Sequence, residues 1–206
     1  MDLFHNTILK TIKITDIDQI NENSRIIELH DRFNQEISNF PQYLIYLYSV
    51  TVYSYEFNIN KVSKHLLYLH LGWCLNNKIK EFPKYLLHLS LGIRFNNEIK
   101  EFPQYLLYLD LGHYFDQKIK EFPKHLSYLH LGVNFVQKIK EFPQYLSYLN
   151  IGCNFNHEIK KFSQYLLYLR LAYNFNQEIT EISKYLLYLN LCYKFNKKYI
   201  TILNHQ

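Results

Sequence analysis

Glycine and proline are scarce in this chain, five of each in 206 residues, and none of them is scattered. Gly72, Gly92, Gly112, Gly132 and Gly152 stand 20 residues apart, as do Pro83, Pro103, Pro123 and Pro143. Pro41 holds the same place in an earlier copy, FPQYLIYL against FPQYLLYL at 102–109. Cysteine is scarcer still. Cys74, Cys153 and Cys192 occupy different columns of the repeat and form no CxxC pair, which excludes a disulfide framework and fits reduced thiols in an intracellular, cytoplasmic protein. Long apolar runs are missing: no stretch approaches the roughly 18 residues of a membrane-spanning helix, and Lys10, Lys13, Asp16 and Asp18 break any signal-peptide core. No membrane partner is expected on that ground. A strong excess of one charge is missing as well. The net +5 is spread evenly along the chain, so it permits an acidic partner without demanding one. With one glycine per repeat there is no GxGxxG and no Walker loop, and no cofactor is expected.

What is present is a self-similar unit of 20 residues, the mark of a solenoid in which each coil touches only its neighbours. From Leu71 the register never slips, as in LGIRFNNEIKEFPQYLLYLD at 91–110 and LGVNFVQKIKEFPQYLSYLN at 131–150. An earlier copy lies at 29–47, and residues 48–70 form a degenerate copy two residues longer. At 48% hydrophobic and 20% charged the chain has a folded rather than a disordered composition. Six columns are apolar in nearly every copy, exemplified by Leu91, Phe95, Ile99, Phe102, Leu106 and Leu109.

The group Leu106, Leu109, Leu111 ends in the two-residue alternation of a strand with one buried face. Strands reached in the same direction every 20 residues must pair in parallel. So short a coil has no room for a crossover helix, so extended or 3-10 segments are expected around Phe-Pro. Gly112 and its equivalents follow the strand where a tight bend favours a free φ, although Ala172 and Cys192 replace them in the last coils. Asn96, Asn156 and Asn176 follow a buried phenylalanine, where an asparagine side chain can satisfy the backbone of the bend.

LGxxFNQEI followed by FPQYLLYL resembles the FNIP repeat, a relative of the leucine-rich repeat found in slime moulds and in giant viruses of amoebae. The likeness covers about 29–203, with FN at 33–34, 95–96, 155–156, 175–176 and 195–196. The chain departs from that motif where proline would precede isoleucine, carrying Glu36, Glu98, Lys118, Lys138, Glu158 and Glu178 instead. FPQYLSYLNIGCN at 142–154 also follows the short bacterial leucine-rich pattern. Asn134, Asn154 and Asn174 occupy that pattern's asparagine position, but Cys74, Arg94, Tyr114 and Lys194 interrupt it, so no continuous asparagine ladder is expected. The resemblance implies a protein-interaction role, with a host protein as the partner if the source is viral, and no catalytic residues. No F-box is expected in the 28 residues before the first copy.

The expected fold is a β-rich solenoid, a right-handed, leucine-rich-repeat-like coil with a parallel sheet on its concave face. Residues 1–28 would cap it, 29–203 would form eight to nine coils, and 204–206 would be a tail. Two columns are candidates for partner binding. One is Tyr68, His88, Tyr108, Tyr128, Tyr148, Tyr168 and Tyr188, with Tyr46 before them. The other, between the strand leucines, varies from coil to coil: His70, Ser90, Asp110, His130, Asn150, Arg170 and Asn190. Stacked tyrosines also stabilise a sheet without any ligand. A second tyrosine column, which includes Tyr85, Tyr105 and Tyr145, reads as packing at the strand entry.

Lys80, Lys100, Lys120, Lys140 and Lys160 run beside Glu81, Glu101, Glu121 and Glu141 and read as a solvated convex face. Asp110 and His130 are expected to pair across the sheet with no Ser or Cys placed as a nucleophile, and His70 is too far from His130 to share a metal. The functional expectation is a monomeric, non-enzymatic scaffold binding a protein on its concave face. The alternative is RNA or single-stranded DNA stacked on the tyrosine ladder.

Overall fold

The computed structural model describes residues 13–30, 33, 37–49, 59–73, 75–179, 181–191 and 195. Ten strands form one sheet in the order of the chain: β1 (Lys13–Ile14), β2 (Ile26–Leu29), β3 (Tyr46–Ser49), β4 (Tyr68–His70), β5 (His88–Ser90), β6 (Tyr108–Asp110), β7 (Tyr128–His130), β8 (Tyr148–Asn150), β9 (Tyr168–Arg170) and β10 (Tyr188–Asn190). Every adjacent pair is parallel. The only helical elements among the described residues are two 3-10 turns, Ile17–Gln19 and Ile59–Lys61. The result is a β-solenoid with leucine-rich-repeat-like geometry. Its sheet reaches into the segment read as a cap, since β1 and β2 continue the ladder at one edge. Leu47 pairs with Leu69, so the longer copy at 48–70 takes up its extra residues without shifting the register.

From β4 to β9 each strand buries its central leucine and turns its two flanking residues outward, except at Ser90, which is itself buried. Leu71, Leu91, Leu111, Leu131 and Leu171 then fold inward just past the strand. Phe95, Phe115, Phe135, Phe155 and Phe175 fill the centre of the coil, each at most 1% exposed, and stack at 6.2–6.4 Å. The Phe102 column was expected to be equally buried. Phe82, Phe102, Phe122 and Phe142 are instead half-buried, at the far corner of the coil.

The coil's outer side is extended, closed before each strand by a single turn such as Leu106 N–H to Pro103 O at 3.2 Å. Where serine replaces proline, the turn is held differently. Ser63, Ser163 and Ser183 donate their hydroxyls to Gln42, Gln144 and Gln164 carbonyls of the preceding coil at 2.6–2.7 Å. The same oxygens accept from His65, Tyr165 and Tyr185 N–H at 3.1–3.2 Å. Proline fixes φ; serine supplies hydrogen bonds to the same end.

The glycine column has a cause the sequence did not show. Only Gly112 has a positive φ, 74°. At Gly92, Gly132 and Gly152 the constraint is space: a Cβ would strike the carbonyl of the glycine one coil earlier, Gly72, Gly112 and Gly132 respectively. Ala172, 1% exposed, shows that the next coil admits one methyl.

The asparagines after the phenylalanines likewise act between coils rather than on their own bend. Asn76 Oδ1 accepts from Asn96 N–H, Asn96 from Asp116 N–H, Asp116 from Val136 N–H and Asn156 from Asn176 N–H, all at 2.8–2.9 Å. A second, shorter ladder joins Asn174 to Asn154 and Asn154 to Asn134 at 3.2–3.4 Å.

Ring spacing reveals the bend of the stack. Along the sheet face successive rings step 3.8–4.4 Å, while the phenylalanines behind it step 6.1–6.5 Å. Strands themselves lie about 4.8 Å apart. The coils crowd at the sheet and fan out behind it, so the sheet is the concave side.

Candidate interaction surface

Three-residue strands in unbroken register turn each outward position into a column. The first column is a continuous stack of eight rings: Tyr46, Tyr68, His88, Tyr108, Tyr128, Tyr148, Tyr168 and Tyr188. Its rings are within 16° of parallel throughout. Centroid steps shorter than the strand spacing mean that each ring between Tyr46 and Tyr188 leans on two neighbours, so both its faces are occupied and only its outer edge is free, while Tyr188 ends the stack at 45% exposed.

Burial is the first cause that pushes the phenols of Tyr46, Tyr108, Tyr128, Tyr148 and Tyr168 up, to about 12 at Tyr108, with the Asp110 charge adding to it there. Tyr46 and Tyr128 are raised further, again chiefly by burial. Tyr46, Tyr108 and Tyr128 therefore remain neutral at physiological pH. His88 lies in the same sandwich, 3.9 Å from Tyr68 and 3.8 Å from Tyr108. Burial lowers it to about 4, the nearby His70 adds to the effect, and Asp110 opposes it.

The second column carries the chemistry that differs between coils. Tyr48 stacks on His70 at 4.3 Å, and burial lowers the His70 pKa against the pull of Asp110. Tyr48, together with Glu28 on β2, extends this column beyond the residues picked from the sequence; the sheet register alone would have found both. Ser90 is 4% exposed and presents nothing outward.

Asp110 and His130 pair as expected, Oδ1 to Nδ1 at 3.3 Å. The same Oδ1 accepts from Gly112 N–H at 2.9 Å, which ties the one positive-φ glycine to the one aspartate of the column. Burial would raise the Asp110 pKa, but the His130 hydrogen bond and charge, the Gly112 N–H and His70 outweigh it and hold the carboxyl below its usual value. Register sets Ser90 beside Asp110. The hydroxyl is buried and two coils from the His130 imidazole, so it is not placed to be activated as a nucleophile. No cluster of three or more His, Cys, Asp or Glu among the described residues could hold a metal ion. Asn150, Arg170 and Asn190 complete the column, with Arg170 exposed. Apart from the buried Ser90, the residues of the two columns picked from sequence thus lie side by side on one concave face.

The second tyrosine column, read as edge packing, is well exposed at the coil's entry to the sheet, with rings 5.7–6.2 Å apart. The lysine and glutamate columns are exposed at the bend before each Phe-Pro.

No family model matches the chain, and no curated protein matches it. Among solved structures it is similar to CroV588, described as a novel circular leucine-rich-repeat protein, at 32% identity and a TM-score of 0.64. The match covers 84% of this chain and 30% of CroV588, so the chain spans under a third of that protein's length. The chain is a repeat protein of leucine-rich-repeat-like fold. No helix among the described residues is long and apolar enough to cross a membrane.

Proposed function

We propose that the chain is a non-enzymatic scaffold that binds a protein partner on its concave face. The observation that carries this reading is the contrast between two adjacent columns. One is a uniform stack whose rings already satisfy each other. The other changes residue at every coil and offers an ion pair, amides and an exposed guanidinium. Partner specificity resides in that second column, chiefly Asp110, His130, Asn150, Arg170 and Asn190, with Tyr188 and the phenol edges as a supporting rim. Arginine and tyrosine are the usual anchors of such surfaces. The stack, closed everywhere between its two end rings, speaks against a run of bases along it, because a base can stack only on a free aromatic face. On the same reading the segment 1–28 caps the solenoid, the repeats are of FNIP type, and the protein works in the cytoplasm.

The test is affinity capture with wild type, followed by binding of the purified captured protein to Asn150→Lys/Arg170→Glu. A hot-spot loss of at least about 30-fold is expected. Unchanged affinity in a variant with wild-type circular dichroism refutes the concave assignment.

A further inference from the structure

The entry edge of the coil carries chemistry that the concave reading does not use. Between the proline column and the strand, each coil has four residues: QYLI at 42–45, KHLL at 64–67, KYLL at 84–87, and so on to KYLL at 184–187. The third is buried or nearly so, and the other three face outward. In all eight coils these positions contain no aspartate or glutamate, while Lys64, Lys84, Lys124 and Lys184 are cationic. Tyr43, Tyr85, Tyr105, Tyr145, Tyr165 and Tyr185 are 43–57% exposed, and Leu67, Leu87, Leu107 and Leu167 are 37–43% exposed beside them. With aromatic side chains of roughly 200 Å² each, the tyrosines alone present about 600 Å². That already equals the largest apolar patch of an ordinary monomer, roughly 300–600 Å².

Shape narrows the occupant. The entry edge runs the length of the stack and repeats nearly the same chemistry at every coil. Four of its seven ring-to-ring steps are 5.7–6.2 Å, which sets the strip's length at about 40 Å. A long exposed strip whose own positions hold tyrosine, leucine and lysine without carboxylates has the makeup of a surface that sits at a lipid headgroup layer. There tyrosine places its ring in the apolar boundary and its hydroxyl in the headgroups, and lysine meets anionic lipid. Lys84 and Lys184 already lie over the rings of Tyr85 and Tyr185 at 5.5 and 5.0 Å. A second copy of the chain fits less well: two such strips would bring eight ammonium groups together with no carboxylate between them.

We propose that the entry edge is a peripheral docking surface for an anionic phospholipid bilayer. The expectation of no membrane partner rested on the lack of a spanning helix, which a surface contact does not need. The concave face is left free beside the bilayer.

The experiment is co-sedimentation of the full chain with vesicles of phosphatidylcholine containing about 30% phosphatidylserine, against phosphatidylcholine alone, at about 0.1 M salt. Binding to the anionic vesicles that weakens as salt rises is expected. Lys64→Gln/Lys84→Gln/Lys124→Gln/Lys184→Gln uses the residue that the chain itself places at 42, 104, 144 and 164, so folding is preserved. At about fivefold per lysine it should bind several hundred-fold more weakly. Asn150→Lys/Arg170→Glu should bind vesicles as wild type does. Equal binding to both vesicle types, or unchanged binding by the quadruple variant, overturns the proposal. So does a dimer in sedimentation velocity that Tyr105→Ser/Leu107→Ser dissociates while wild type ignores vesicles, and so does retention of single-stranded RNA in place of lipid.

Discussion

His88 is the one imidazole in a stack otherwise made of tyrosines, and replacing it tests how that stack is held. The ring is clamped at 3.9 and 3.8 Å between Tyr68 and Tyr108. The titratable groups facing it are His70, which repels its proton, and Asp110, which attracts one but is already committed to His130. Its pKa falls from 6.5 to about 4 on folding, chiefly through burial. The unfolded chain therefore takes up a proton at this site below pH 6.5, while the folded chain resists until about 4. Stability contributed by the neutral ring is complete above pH 6.5 and drains away as pH falls through that window. Full burial would make the loss about 2.5 kcal/mol at pH 4.5. The ring keeps partial contact with water, which brings it to about 1–2 kcal/mol.

His88→Tyr installs the residue of the neighbouring coils and removes that titration. The His70 and Asp110 contributions persist in both proteins and cancel in the difference. Urea unfolding from pH 7.5 to 4.5 should show near-equal stability at the upper end. At the lower end the variant should be more stable by about 1–2 kcal/mol, or about 3–6 °C in Tm. Parallel pH profiles for the two proteins would refute the argument that burial in the stack keeps His88 neutral.

Phe135→Ala empties a site that is fully buried and stacked at 6.3 and 6.2 Å on Phe115 and Phe155. We expect a loss of about 3–5 kcal/mol in chemical denaturation, with hydrogen exchange accelerated most in β6 to β8, because each coil supports only its neighbours. Gly132→Ala drives a methyl into the Gly112 carbonyl, with the His113 carbonyl 3.1 Å away. It should cost about 1–3 kcal/mol in thermal unfolding, whereas Ala172→Gly should change stability by about 1 kcal/mol or less. Asp116 accepts from Val136 N–H at 2.9 Å and Gln137 Nε2 at 3.1 Å. Asp116→Ala should lose about 1.5–3 kcal/mol against about 1 kcal/mol for Asn96→Ala, since hydrogen bonds to a charged acceptor are the stronger; urea midpoints of the two variants decide this.

Period and strand position were legible because burial imposes them. A leucine every second residue, repeated every 20, leaves one way to pair the strands, and the observed register Leu89 to Leu109 to Leu129 follows it. Contacts between residues 20 apart were harder to read, because a single copy shows only one partner. Asn96 looked like a residue that satisfies its own bend, yet it accepts from Asp116 one coil on. Gly132 looked like a residue needing free φ, yet its constraint is the Gly112 carbonyl. The concave site was legible as two columns, and the Asp110–His130 pair followed from register. The depth of Ser90 and the closeness of the tyrosine stack were not, since both depend on the bend, and no residue type records curvature. Exposure of Tyr105 was missed for a related reason: an aromatic residue beside a strand looks like packing until the direction of its side chain is known.

Constancy along a column therefore has more than one cause, and the structure separates them. The glycines, the phenylalanines and the concave tyrosines are constant because each copy packs on the same residue one coil away, by carbonyl approach or ring stacking. A change there damages two interfaces at once, so these columns cannot vary to suit a ligand. The column of Asp110, His130, Asn150 and Arg170 has no such uniform contact and differs at every coil, which suits a partner whose own surface does not repeat. The entry-edge tyrosines are the informative exception. They recur in six of the eight coils while remaining about half exposed, with rings too far apart to close on each other. An exposed column that repeats the same chemistry over about 40 Å matches a partner that is itself uniform along that length, and a bilayer surface is uniform where a folded protein is not.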